Sequence, residues 1–457
     1  MEPMVGRLPR ARRALLVLLT VVFAVAVLEL SSAVVLGVLD RRVPTWSRLQ
    51  RDRAAIAALD RSEVELESEV EPAVDEVSRW MLKLDEREVI HPYLGFVEHH
   101  ADDSTLARRT DFDPEAARFG FPRNTARIFF EPDPSRLVVV VVGGSFSRQI
   151  GFGGQRLLRE GLEKIDRFRG REIEIVALGL GGYKQPQQLM TVSYFLALGM
   201  HVDVLINIDG FNEVVLPRTE NLKYGVNPFF PRAWNFRVAD LNPDELRLRA
   251  GIEAARGLRA RQASAFSGGP ARYSMTCSLI WRVLDRRALG LQITAEEELR
   301  RSGVSDSDYQ ASGPMFEAES DAEMVKRLVE VWRRCSVLLD ALARANGIEY
   351  YHFLQPNQYL EGSKPLSGRE RQIAVVPETG IADPVMSGYP AMRAAASGLS
   401  EAGVHFVDLT QVFAEIDESL YIDNCCHINE HGIAIVVEQI VEAVAAGPQA
   451  DLMSEAN

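Results

Sequence analysis

Four short segments of this chain hold the residue types that acyl transfer needs. Gly143-Gly144-Ser145-Phe146-Ser147 follows directly on five valines, Val138 to Val142. Gly179-Leu180-Gly181-Gly182-Tyr183 and Asp209-Gly210-Phe211-Asn212-Glu213 follow two later apolar runs. Ile422-Asp423-Asn424-Cys425-Cys426-His427-Ile428-Asn429 stands near the C-terminus. A serine hydroxyl becomes a nucleophile when a base takes its proton, and His427 can be that base. The imidazole needs an orienting carboxylate, and Asp423 is close in sequence. A tetrahedral oxyanion needs preorganised donors, which the backbone N–H groups of Ser145 and Gly182 and the side-chain amide of Asn212 can supply. Taken singly, Ser145 is a turn serine, Gly182 a loop glycine and Asn212 a turn or cap residue. Only their order along the chain makes a site, and Ser147 is a rival nucleophile two residues on.

Such residues must be held at strand ends. Five apolar runs are strand candidates: Leu137 to Val142, Ile173 to Leu178, Val202 to Ile208, Ile348 to Leu354 and Val404 to Asp408. Helical patterns lie between them, at Gln155 to Asp166, Pro186 to Leu198, Ala322 to Asn346 and Glu430 to Ala446. This alternation predicts an α/β fold with a doubly wound, flavodoxin-like five-stranded parallel sheet. A long interval, 216–320, separates the third and fourth strands and reads as a helical insertion over the carboxyl face, a lid or subdomain.

The N-terminus carries an independent signal. Arg7, Arg10, Arg12 and Arg13 precede an apolar stretch from Ala14 to Leu39, which would make a helix about 39 Å long. The hydrocarbon core is about 30 Å thick, so 14–39 reads as a transmembrane helix after a short tail, 1–13. A span ending before Glu29 would be about 22 Å, closer to a signal-peptide core, and Leu30-Ser31-Ser32-Ala33 would pass as a cleavage site. The uncleaved anchor is the reading adopted, because apolar residues resume up to Leu39. Glu29 inside the run reads as a residue near the membrane interface. Residues 40–90 read as a stalk, with the acid-rich Glu63 to Glu71 as a solvated linker, and 447–457 as a tail.

Composition excludes some functions. A net charge of −13 argues against a nucleic-acid partner, which would require a basic face. The cysteines Cys277, Cys335, Cys425 and Cys426 fit no zinc module. A Cys277–Cys335 disulfide or two free thiols are both open. His427 and His431 stand four apart, yet no third ligand has helpful spacing, so no metal is expected. His201 and Asp203 read as a structural pair at a strand start. Gln355-Pro356-Asn357-Gln358, after the fourth strand candidate, reads as pocket lining or a simple turn.

In its serine, glycine, asparagine and histidine blocks, residues 91–446 resemble the SGNH/GDSL hydrolase superfamily. The N-terminal span and His91-Pro92-Tyr93-Leu94-Gly95 make it most like the bacterial membrane-anchored members. The resemblance implies that Ser145 is the nucleophile, Gly182 and Asn212 oxyanion donors and His427 the base, with no cofactor. It further implies an ester hydrolase acting on acyl esters of a carbohydrate or lipid outside the cytoplasm, on a single-pass membrane protein. An O-acyltransferase using the same serine, and a catalytically weak domain that binds glycan or a partner, are the alternatives. Three positions depart from the family pattern. Gly144 replaces an aspartate, Glu213 replaces another, and Asn424 holds the place three before the histidine where the acid normally sits. A one-residue bulge would let Asp423 serve instead.

Overall fold

The structure, a computed structural model, describes residues 10–57, 88–99, 113–238, 243–302, 309–376 and 379–447. The chain forms two compact units, one of Met1–Val70 with Asp240–Ser302, the other of Glu71–Ala239 with Gly303–Asn457. The expected insertion, 216–320, is thus divided between them.

In the larger unit, β1 (Glu88–His91) and β2 (Gly95–Glu98) make an antiparallel hairpin. Its turn is the His91 to Gly95 segment, where His91 Nδ1 accepts from the N–H groups of Tyr93 (3.3 Å) and Leu94 (3.1 Å). The main sheet contains β3 (Arg136–Gly143), β4 (Glu172–Ala177), β5 (Val204–Asp209), β6 (Glu349–Leu354) and β7 (His405–Asp408). All neighbours are parallel, in the order β4-β3-β5-β6-β7. The five-stranded parallel sheet expected from the sequence is therefore present, with strand ends shifted by one or two residues.

The valine run explains β3. Val138 to Val142 are each no more than 1% exposed, and burying a side chain of this kind is worth roughly 1.5–3 kcal/mol. Only a strand covered on both faces accepts such a run. The chain passes from β3 outward to β4, then back across β3 to β5, so the winding reverses between β3 and β5. Open α/β sheets bind ligands beyond the carboxyl ends at such a reversal. Register pairs Gly143 with Ile208, which brings the ends of β3 and β5 level there. At the other end of the sheet, Asp203 accepts from Val138 N (2.7 Å) and Arg171 (3.1 Å), with His201 3.5 Å away, which is a structural role.

In the smaller unit, the helix Arg10–Leu39 contains a stretch, Leu16–Leu39, long and apolar enough to cross a membrane. Length and composition of this kind serve a retained anchor or a signal sequence alike. Helices Trp46–Ala57, Pro243–Ser267 and Met275–Ser302 accompany it around a core of Leu36, Leu49, Ile56, Ala263, Met275 and Trp281. Glu29 has a specific task. Its carboxylate accepts from Ser274 Oγ (2.6 Å) and from the N–H groups of Met275 (2.5 Å) and Thr276 (3.4 Å). It thereby caps the first turn of the Met275–Ser302 helix, where N–H groups lack intrahelical partners. The capping contact gives a charge inside the apolar run a structural role. Most of the expected stalk, including Glu63 to Glu71, and residues 448–457 of the expected tail lie outside the described residues.

Candidate active site

Ser145 is the first residue of the short helix Ser145–Arg148 that follows β3. Its N–H heads that helix and so has no intrahelical acceptor. Gly144 must be glycine for a reason of space: a Cβ there would lie 2.2 Å from Asn212 Nδ2. A longer side chain at 144 would meet the asparagine block there. The same contact places the Asn212 amide against the serine turn. Asn212 Nδ2 donates to Tyr183 O (2.7 Å), so the serine, glycine and asparagine blocks converge on one point. Gly182 has φ +78°, in the region that favours glycine, and a Cβ there would meet Arg232 Cδ at 2.0 Å. Arg232, which no sequence pattern singled out, therefore lies across the glycine block.

Glu213 forms a second link between the blocks. It is fully in the interior, and its Oε1 accepts from Gln185 N (3.1 Å) and Gln188 Nε2 (2.9 Å) while Oε2 accepts from Gly210 N (2.8 Å). The longer side chain thus ties the glycine block to the asparagine block. Burial and the nearby Asp209 push its carboxyl up to about 8.

The histidine block is a turn between Tyr421 and Ile428, which pair as an isolated bridge. Within it Asp423 reaches His427. Asp423 Oδ2 takes the hydrogen bond from His427 Nδ1. Its other oxygen, Oδ1, accepts from the N–H groups of Cys425 (2.9 Å), Cys426 (3.2 Å) and His427 (3.2 Å). Three backbone donors fix the carboxylate, and the carboxylate fixes the ring through Nδ1. Burial opposes charge on His427, but the facing Asp423 outweighs it and the ring is pushed up to about 9. Asp423 responds in the opposite sense: burial raises its carboxyl, and the charge and hydrogen bonds of His427 bring it below the usual carboxylate value.

Two links hold this turn against the rest of the site. Gln149, one turn beyond Ser145, donates Nε2 to Ile428 O (3.0 Å) and accepts from Ile428 N (3.1 Å). This clamp joins the serine helix to the residue after His427. From the end of β6, Asn357 donates to Cys425 O (3.2 Å) and Gln358 to Asp423 O (3.3 Å). The Gln355 to Gln358 segment is thus a prop beneath the histidine turn. A glutamine four residues after a candidate serine was the available signal for the clamp, but its partner lies 279 residues away.

Other arrangements fit the chemistry less well. Ser147 is fully buried and its hydroxyl donates to Gly144 O (2.8 Å). A second serine–histidine–aspartate chain exists, with Ser336 Oγ 2.7 Å from His352 Nδ1 and His352 Nε2 2.8 Å from Asp209. Ser336 and His352 are both 0% exposed, and Asp209 also accepts from Trp332 (2.7 Å) and Asn207 (2.9 Å). That chain bonds β5 and β6 to the Asp321–Ala345 helix within the core, where no substrate reaches it. His431 turns to Glu418 (2.8 Å) and His427 precedes the helix Glu430–Ala446, so the two histidines do not share a helix face. Asp423, Cys425 and His427 bring potential metal-ligand atoms within 4.8 Å of one another, but the carboxylate oxygens are already committed to the ring and three N–H groups. All four cysteines are free thiols, so the Cys277–Cys335 disulfide is not formed.

The raised His427 value gives a pH prediction. The ring is a base only when neutral, so kcat/KM should rise with pH through a midpoint above 6.5 and towards about 9. Asp423→Asn, which removes the counter-charge, should move that midpoint downward. A pH–rate profile checks both, and an unmoved midpoint would show that another group titrates.

No family model matches this chain, and no curated protein does either. Among solved structures it is similar to a crystal structure, at 2.00 Å, of a Bacteroides fragilis protein provisionally named an acylhydrolase. The two are 10% identical, with a TM-score of 0.31 over 69% of this chain and 92% of the other. A likeness that slight carries no argument about activity.

Proposed function

We propose that the larger unit is a serine ester hydrolase of the SGNH/GDSL type. The observation that carries this reading is the Asp423–His427 pair, fixed by three backbone N–H groups and clamped through Gln149 to the helix that begins at Ser145. Ser145 Oγ attacks the ester carbonyl as His427 Nε2 takes its proton. The oxyanion meets the N–H groups of Ser145 and Gly182 and the Asn212 amide. His427 returns the proton to the departing alcohol, and water, activated by the same nitrogen, releases the acid. Asp423 holds the ring and stabilises it when charged.

The substrate we propose is an acyl ester of a carbohydrate or lipid outside the cytoplasm, with the chain anchored by the Leu16–Leu39 stretch. A transferase using the same serine would take a sugar hydroxyl in place of water as the acceptor. Incubation with an acetylated sugar, with and without a second sugar, separates the two by product analysis. Free acetate supports the hydrolase, acetylated second sugar the transferase, and neither product supports a binding domain.

Two further outcomes are expected. Asn212→Ala should cost about 100- to 1,000-fold in turnover, the usual loss for one oxyanion donor, without unfolding the protein. Circular dichroism and steady-state kinetics check it, and full activity would remove Asn212 from the mechanism. Protease added to cells with a permeabilised outer layer should digest the larger unit. Protection, or a mature chain starting near Val34, would contradict the anchored, extracytoplasmic topology.

A further inference from the structure

The histidine turn contains two adjacent thiols that the proposed mechanism does not use. Cys425 and Cys426 are 0% and 1% exposed, and their sulfurs lie 3.4 Å apart. Their backbone N–H groups are two of the three donors that hold Asp423 Oδ1. The sulfurs and the catalytic carboxylate are therefore two ends of one short turn.

We infer that Cys425 and Cys426 are a redox modification site, closed to a vicinal disulfide by a small-molecule disulfide, and that closure withdraws Asp423 from His427. The chemistry balances as two exchanges. The Cys426 thiolate attacks one sulfur of the oxidant, forming a mixed disulfide and expelling one thiolate. The Cys425 thiol loses its proton, attacks the Cys426 sulfur and expels the second thiolate. Two protein thiols are oxidised, one small disulfide is reduced, and the two protons pass to the two leaving thiolates. Cys426 is assigned as the attacking sulfur because it adjoins His427 in the chain and its sulfur lies 3.4 Å from that of Cys425. Burial works against its thiolate, yet those two neighbours bring it below the ordinary thiol value. Burial, with Cys426 and Asp423 beside it, pushes the Cys425 thiol well above that value, and the Arg232 charge offsets only part of the rise.

The ring cannot close without moving the backbone. Adjacent residues have Cα atoms about 3.8 Å apart across a trans peptide, whereas disulfides normally span about 4.4–6.8 Å. No rotation lengthens that spacing, so the ring closes only with distortion of the intervening peptide, which carries the Cys426 N–H that donates to Asp423. Strain of this kind makes a disulfide easily reduced, which suits a reversible device and not a staple. Burial of both sulfurs makes oxidation wait on opening of the turn, so exchange should take minutes to hours.

The inhibition arm of the test rests on the ester-hydrolase reading; the thiol arm does not. The full chain is incubated with oxidised glutathione, then alkylated and digested, and hydrolysis of a chromogenic acetyl ester is followed in parallel. The 421–429 region should lose the mass of two hydrogen atoms and resist alkylation. Activity should fall by about 100-fold or more, as expected when the acid leaves the ring, and dithiothreitol should restore both. Cys425→Ser and Cys426→Ser, each compared with its own untreated state, should lose no activity to the oxidant. Freely alkylated Cys425 and Cys426 after treatment, a stable glutathione adduct in place of the ring, or a ring that leaves activity intact would each overturn the inference. An untreated protein with no ester hydrolysis sinks the hydrolase reading alone, and the thiol measurement still decides whether the modification site exists.

Discussion

Ser145→Ala is expected to lower ester turnover by about 10⁶-fold, the scale seen when a triad nucleophile is removed. Residual catalysis would come from the oxyanion donors and from binding, which the substitution leaves in place. The fold should survive, because among the described residues the side chain forms no hydrogen bond that holds the helix Ser145–Arg148, whose cap is Gly144. Ser147→Ala should behave differently. Its hydroxyl is committed to Gly144 O and is fully buried, so the loss is a hydrogen bond worth about 1 kcal/mol of stability, with turnover largely kept. Parallel kinetics and thermal unfolding of the two variants check this. Large loss in Ser147→Ala with activity in Ser145→Ala would reverse the assignment.

Asp423→Asn is expected to lower turnover by about 10⁴-fold. Asparagine keeps an oxygen for the three backbone N–H groups but turns an N–H towards His427. The ring must then take the other tautomer, with its proton on Nε2, where the serine proton has to go. The neighbouring Asn424→Ala should be nearly harmless. Asn424 is fully buried, and neither its Nδ2 nor its Oδ1 has a hydrogen-bond partner among the described residues. Removing an unsatisfied buried amide restores what its burial costs, so stability should hold or rise. Kinetics on the pair would contradict the account if Asn424→Ala were the more damaging.

The sheet was legible because its signal is local. A valine run ending on two glycines admits one environment, and strand-helix alternation admits few topologies. The four blocks were legible for the same reason, since each follows or precedes one element. The Asp423–His427 contact had one hint in the sequence, a carboxylate four before the histidine, and depends on the turn whose three N–H groups hold that carboxylate. What was not legible depends on partners far apart in sequence. Glu29 looks like a charge stranded in an apolar helix until Ser274 and Met275 are placed against it. Arg232 is one arginine among many until Gly182 is seen to lack a side chain where it passes. Asp209 read as part of the asparagine block, but His352 and Trp332 draw it into the core instead. The division of the 216–320 interval between two units follows from packing that periodicity does not encode.

The central claim is that Ser145, activated by His427, is a nucleophile. Treatment of the full chain with a fluorophosphonate, followed by peptide mass spectrometry, tests it most directly. A covalent adduct on Ser145 that is absent in His427→Ala is the predicted result. An adduct on Ser147 or Ser336, or no adduct in a folded protein that retains the Asp423–His427 pair, would contradict it.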